Sequence, residues 1–297
     1  MIQRQKRFPY LLLIPSMIIM IGLVVVPIIS TFFLSLENYK LTEPQNKSFV
    51  GFENYIEVLK STDFRYALVN TLFVVIIVII ISLVCSLGVA LILNKKVRIN
   101  GVLTAIAILP WALPPIVNGI VWRFIFYPGF GFMNKLLFYF GLINEPIPYT
   151  INRFMLMFII AIIVSWRVIP FCAIIFLSNM QSIPENLYIS SKIDGANKFQ
   201  IFFKVTLPLL IPSFVIVITN ITISAINVFD EVIALSGYSD VGQTLLVYNY
   251  VNTFKFLNFG LGSAITYIIM LISGIAGYFY IKNIYNPMGV RKWKNQV

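Results

Sequence analysis

ALVNTLFVVIIVIIISLVCSLGVALIL, residues 67–93, carries no Asp, Glu, Lys or Arg. As a helix it exceeds the roughly 20 residues that cross the hydrocarbon core of a bilayer. Its apolar residues run continuously rather than alternating, so it is not a barrel strand. Backbone groups in lipid must be satisfied within a helix or a closed barrel, which leaves a transmembrane helix. The pattern recurs along the chain. Spans are expected near 11–36, 67–93, 102–126, 154–178, 209–233 and 259–281. The expected fold is all-α, an integral membrane protein of about six transmembrane helices, with residues 1–297 forming a single transmembrane domain.

Composition points the same way. Hydrophobic residues make up 59% of the chain, charged residues 11%, and the mean hydropathy is +0.89. A soluble domain has about 25% charged residues and could not cover its surface with so few. There is no His, which excludes a His general base and a Cys/His metal site. Cys85 and Cys172 lie far apart in apolar runs and are expected to be small buried hydrophobes, not a disulfide. The net charge of +11 is scattered between apolar spans, with no basic domain to bind nucleic acid. The first span follows Arg4, Lys6 and Arg7 but is too long for a signal-peptide core and has no A-x-A site after it. It is expected to be a retained helix.

Six spans put both termini on one side. That side collects Arg4, Lys6 and Arg7, then Lys95, Lys96 and Arg98, then Lys192, Lys198 and Lys204, and finally Lys282, Arg291, Lys292 and Lys294. The opposite side has fewer bases, and in its first loop Glu37, Glu43, Glu53, Glu57 and Asp63 outnumber them. The bias predicts cytoplasmic termini in a multi-pass membrane protein. Arg167 falls inside the fourth span. A charge there is costly, so it must face protein or water, or sit nearer an end.

Between the fourth and fifth spans, residues 182–208 read SIPENLYISSKIDGANKFQIFFKVTLP. Ser182 and Glu185 have capping-box spacing, with Pro184 in the first turn. The pattern predicts a short helix to about Ile193, broken at Asp194-Gly195, because Gly accepts the left-handed conformation that ends helices. A second short helix would carry Phe199, Phe202 and Phe203 on one apolar face. Pro208 and Pro212 fit the first turns of span five, or kink it. An amphipathic connector on lipid headgroups has the same pattern.

These residues resemble the signature loop of permease subunits in binding-protein-dependent ABC importers. In the sugar-importing branch that loop has a Pro-Glu start, a Tyr before Glu-Ala-Ala, then Ile-Asp-Gly-Ala, and Thr-Leu-Pro at its end. Matching residues here are Pro184-Glu185, Tyr188, Ile193-Asp194-Gly195-Ala196 and Thr206-Leu207-Pro208. Ile189-Ser190-Ser191 replace Glu-Ala-Ala, so any ion pair made by the family's Glu cannot form at Ile189. The resemblance extends through Phe49–Tyr55, Asn70-Thr71, Leu109–Trp111, Trp122–Phe126, Gly131–Asn134, Phe229–Glu231 and Gly260–Ala264. A Gly-Gly-Pro often found after span five is absent, and Ser236–Asp240 stand there. The whole chain is similar to permeases of the maltose and glycerol-phosphate type.

The resemblance implies a transmembrane permease, not an enzyme, that carries a carbohydrate or related polyol by alternating access. It implies a second permease subunit, as a heterodimer, two cytoplasmic ATPase subunits and an extracellular or periplasmic solute-binding protein. Glu185, Tyr188, Ile189, Ser190, Ser191, Asp194, Gly195, Ala196, Leu207 and Pro208 would form the cytoplasmic coupling elbow that docks on an ATPase. ATP and Mg would sit on that partner, since this chain has no GxxxxGK[ST] run and binds no cofactor of its own.

A sugar path needs hydrogen-bonding groups. Asn220, Ser224, Asn227 and Glu231 fall at i, i+4, i+7 and i+11, on one helical face if span five is continuous. Asn118, Trp122 and Trp111 are further candidates. Polar side chains also simply link transmembrane helices, and interfacial aromatics anchor them. Pro110, Pro114, Pro115 and Gly119 make span three irregular, as in path-lining helices or in kinks that serve packing. An ion-coupled secondary transporter is the alternative. It would show internal repeats and mid-membrane ionisable residues, and no repeat is evident.

Overall fold

The computed structural model describes residues 8–95 and 98–282. Arg4, Lys6, Arg7, Lys96, Arg291, Lys292 and Lys294, which enter the charge bias, lie outside the described residues. The chain is mainly helical. It opens with α1 (Phe8–Met20) and α2 (Val26–Ser35), joined by one wide helical turn at Ile21–Val25. A hairpin of β1 (Glu37–Asn38) and β2 (Ser48–Phe49) leads into α3 (Glu53–Lys60) and α4 (Thr62–Leu93). The middle of the chain forms α5 (Asn100–Ala112), α6 (Pro115–Ile125), α7 (Phe132–Tyr139) and α8 (Arg153–Ser182). Next come α9 (Glu185–Ile193), α10 (Lys198–Ile201), α11 (Leu207–Leu209), α12 (Ile211–Ile226) and α13 (Asp230–Ser236). The last elements are α14 (Leu245–Tyr250) and α15 (Phe259–Tyr280).

Four helical runs are long and apolar enough to cross a membrane: Tyr10–Ser35, Thr62–Leu93, Arg153–Ser182 and Phe259–Tyr280. Two more qualify as bent pairs, Asn100–Ala112 with Pro115–Ile125 at 93° and Lys198–Leu209 with Ile211–Ile226 at 67°. The described chain therefore has four to six candidate spans. The first bend follows from chemistry. Leu113, before Pro114, is held in an extended conformation, and Pro114-Pro115 cannot donate to the preceding turn. Pro115 then starts α6 with its fixed φ, and Pro208 and Pro212 occupy the same first-turn places in α11 and α12.

The structure divides into two compact units. One comprises residues 8–64 and 249–270. Its hairpin is tied down by buried Asn54, whose Nδ2 donates to the carbonyls of Ser35 (2.8 Å) and Glu37 (2.9 Å). The Ser35 hydroxyl meets Tyr55 Oη at 2.6 Å. Lys47 pairs with Glu37 at 2.8 Å, and Gly260 donates its N–H to the Tyr39 carbonyl at 3.1 Å. A Cβ at Gly260 would run into the Glu37 carbonyl oxygen, so this approach needs glycine.

The other unit comprises residues 65–248 and 271–282. Its centre is α8, whose Leu156, Met157, Ile160, Ile163 and Phe176 are fully buried, with α5, α6, α12 and α13 packed around it. Polar ties join its helices, with Asn179 Nδ2 donating to Ser213 Oγ (2.5 Å) and Thr222 to Tyr280 Oη (3.1 Å). Along α4 the buried positions include Thr71, Val74, Val78, Ser82, Ser86 and Ala90, while Leu72, Ile76, Ile80 and Val84 point outward. Small and hydroxyl-bearing residues on the packed side suit helix association in lipid, where apolarity gives no direction. Cys172 is buried as expected, but Cys85 is exposed, because it falls on the outward side of α4.

Replacing Gly260 with Ala should push the hairpin off α15 at a cost of about 1–3 kcal/mol, typical of overpacking. The expected result is a thermal transition of the detergent-purified protein lowered by several degrees, read by fluorescence-detected size exclusion after heating.

Candidate functional site: an exposed elbow and a buried ion pair

The elbow is built by two helix-ending devices. At the end of α9 the Ala196 N–H donates to the Ser191 carbonyl (3.0 Å) and the Gly195 N–H to the Lys192 carbonyl (3.1 Å). This pair of bonds closes a helix through a left-handed residue, and Gly195 has φ +79°. The sequence signal at Asp194-Gly195 is thus realised. Two residues later Asn197 and Gln200 form a reciprocal capping box, Gln200 N–H to Asn197 Oδ1 at 2.9 Å and Asn197 N–H to Gln200 Oε1 at 2.8 Å.

The capping box expected at Ser182 and Glu185 does not form. The long helix α8 runs through to Ser182, so that hydroxyl sits in its last turn and donates back to the Asn179 carbonyl at 2.8 Å. Helix α9 starts instead behind Pro184 in an extended conformation. Ser190 and Ser191 bond back to the Asn186 and Leu187 carbonyls, at 2.9 and 2.7 Å. Tyr188 Oη lies 3.3 Å from Thr206 Oγ1, bridging the two arms of the elbow.

Within this chain the elbow presents apolar side chains rather than burying them. Ile193 is 81% exposed and Phe199 is 76% exposed, and Ile189 and Phe203 are also open. Phe199 and Phe203 stack at 6.3 Å between centroids. Glu185, Asp194, Gly195 and Pro208 are exposed, Ser191, Ala196 and Leu207 half-buried.

Deeper in the same unit, Arg167 finds a partner that its sequence position did not reveal. Its Nε donates to Glu231 Oε1 at 2.9 Å, with the Glu231 side chain 2% exposed and that of Arg167 18%. Glu231 stands in the first turn of α13, where a carboxylate also complements the helix dipole. Glycine makes the approach possible. A Cβ at Gly119 of α6 would lie 2.6 Å from Ala234 Cβ and 3.0 Å from Glu231 Cα. Beside Gly119, Asn118 is fully buried, and its Nδ2 donates to the Ile163 carbonyl at 3.3 Å.

Span five is not one continuous helix, so the face joining Asn220, Ser224, Asn227 and Glu231 does not hold. Helix α12 ends at Ile226 and α13 begins at Asp230. Asn220 and Ser224 are half-buried on α12, Asn227 is exposed at its end, and Glu231 turns away to Arg167. Trp122 packs against Phe126 (5.7 Å) and Trp166 (5.9 Å), and Trp111 stacks on Phe171 (5.4 Å). Among the described residues no cluster of His, Cys, Asp and Glu could hold a metal ion.

The described residues thus combine four to six candidate membrane spans with a buried ion pair and a capped, exposed elbow. Residues 82–288 match the family described as binding-protein-dependent transport system inner membrane component, and the chain belongs to that family. It is a permease subunit and a multi-pass inner-membrane protein. The trehalose/maltose transport system permease protein MalF of Thermococcus litoralis is 32% identical over 273 residues, covering 91% of this chain and 90% of that protein. The trehalose transport system permease protein SugA of Mycobacterium tuberculosis is 27% identical, covering 94% and 89%. A chain from the crystal structure of a bacterial ABC transporter involved in the import of the acidic polysaccharide alginate has the same fold. Its TM-score is 0.82 at 18% identity, covering 96% of this chain and 98% of that one. Nothing in these likenesses supports the ion-coupled alternative.

Arg167→Met alone should destabilise the protein by about 3–5 kcal/mol, the range for leaving one member of a buried pair uncompensated. The double variant Arg167→Met with Glu231→Met is expected to recover most of the loss. Thermal unfolding of the three purified proteins checks this, and equal losses in single and double variants would show that the pair is not coupled.

Proposed function

We propose that this chain is one of two non-identical permease subunits in an importer of sugars or related polyols, driven by ATPase subunits that dock on the elbow at residues 182–208. The observation that carries this is the elbow itself. Hydrogen bonds lock its shape at Gly195 and Asn197, yet Ile193 and Phe199 have almost no cover in their own chain. A rigid, apolar, unpartnered projection fits a cleft on another protein, where burying each side chain would stabilise the complex by about 1.5–3 kcal/mol. With each bent pair counted as one span, the chain would cross six times and hold both termini in the cytoplasm, which the Lys and Arg bias supports.

ATP and Mg would be bound by the ATPase partners, and this chain would bind no cofactor. A solute-binding protein would deliver substrate on the other side of the membrane, as the family description implies. The substrate would pass the hydrogen-bonding groups of Asn220, Ser224 and Asn227, with Asn118, Trp122 and Glu231 shaping the wall behind them. The relatives named for trehalose and maltose support a sugar substrate, and trehalose and maltose are the first probes to use.

Tagged protein extracted gently from its native membrane should bring with it an ATPase, a second permease and a solute-binding protein. The reconstituted complex should take up trehalose or maltose only with ATP. Ile193→Asp or Gly195→Val is expected to cut sugar-stimulated ATP hydrolysis at least fivefold while the chain still inserts. Recovery of the chain alone, or wild-type stimulation in both variants, would count against docking at the elbow.

A further inference from the structure

The break in span five is gripped by polar groups from elsewhere in its own unit. The Val228 carbonyl, in the break between α12 and α13, accepts from Thr244 Oγ1 at 3.0 Å. The neighbouring Leu245 donates its backbone N–H to Thr71 Oγ1 at 2.8 Å. Asn70 Nδ2 donates to the Gln243 carbonyl at 2.7 Å, and Arg153 Nε donates to Asn70 Oδ1 at 2.6 Å. Arg153 is steadied in turn by the Tyr66 carbonyl at 3.1 Å and the Tyr66 ring at 4.8 Å. Asn70, Thr71, Val228, Gln243 and Thr244 are all buried.

We propose that Thr244, held in place through Asn70, Thr71 and Arg153, is a positioning residue for transport: its hydroxyl fixes the angle at which the end of α12 presents Ser224 and Asn227 to the substrate. The inference rests on the reading of those two side chains as path residues. Neither Thr244 nor its supports need touch the sugar. The chain has no Pro or Gly between Ile226 and Asp230 to hold the break open, so nothing covalent maintains it. A freed carbonyl in a buried, apolar setting must find a donor. Thr244 supplies that donor from a segment anchored to Asn70 and Thr71, in the third turn of α4, and through Asn70 to Arg153 at the start of α8. A network in which both ends of the Asn70 amide are engaged is stiff, because shifting one member leaves others unsatisfied. Any swing of α12 about the break therefore strains the Thr244 bond first.

Thr244→Val keeps the side-chain shape and removes the hydroxyl. In the purified complex, amide exchange over residues 226–232 is expected to quicken about tenfold, as loss of one buried hydrogen bond allows. In proteoliposomes the KM for trehalose or maltose uptake is expected to rise threefold or more, with Vmax within twofold. Thr244→Ser should restore both values, and Thr71→Val should reproduce the change at smaller size if Thr244→Val fails to accumulate. Unchanged exchange in the Thr244→Val complex would overturn the clamp. Quickened exchange with an unchanged KM would overturn its role in positioning. In that event Asn227→Ala separates the two ideas: a raised KM there keeps the path reading and removes only Thr244, whereas no change removes both. If neither sugar is taken up, the sugar reading fails, and the exchange measurement still decides whether the clamp exists.

Discussion

A polypeptide in hydrocarbon has no solvent to accept or donate a hydrogen bond, so a departure from regular helix must be answered by another polar group, and buried side chains often supply it. The second unit shows the consequence. Where α12 stops, Thr244 takes the Val228 carbonyl. Where the loop before α8 turns inward, Asn134 serves the Pro128 and Ile147 carbonyls, at 2.9 and 3.2 Å, and receives Tyr149 Oη at 2.8 Å. Irregular backbone thus appears where buried Asn and Thr stand ready. The polar residues of this very apolar chain are distributed by that need as much as by any need of a substrate.

The same constraint explains what could be read from one dimension and what could not. Residues 67–93 announce a spanning helix because length and charge alone decide it, and α4 covers them entirely. The bend in span three was legible from Pro114-Pro115, and the elbow from Asp194-Gly195. The break at 227–229 was not, for Ala225-Ile226-Asn227-Val228-Phe229 contains no helix breaker. It exists because tertiary partners stabilise it, and helical periodicity drawn through it put Glu231 on the wrong face. The partner of Arg167 was hidden for a related reason. The two side chains are 64 positions apart, and only the close approach of α6 to α13 at Gly119 brings the carboxylate to its site. Ser182 failed as a cap because nothing local says how far α8 continues.

The two halves of the functional reading stand on different physics. The elbow is held in shape by backbone and side-chain hydrogen bonds where its two short helices meet. The centre of the unit is held by charge and by close packing of glycine, arrangements that have few near-degenerate alternatives. Between them, α12 is bent by 67° against Lys198–Leu209 at one end and stops at the clamped break before α13 at the other.

The bare elbow also bears on how such a chain is made. Four large apolar side chains, Ile189, Ile193, Phe199 and Phe203, are open in the isolated subunit. If an ATPase covers the elbow as proposed, a copy synthesised in excess of it would carry the kind of open apolar patch that chaperones and proteases recognise on misfolded chains. On the proposed docking at the elbow, balanced production of the subunits would become a requirement of survival, enforced by surface chemistry before any substrate is moved.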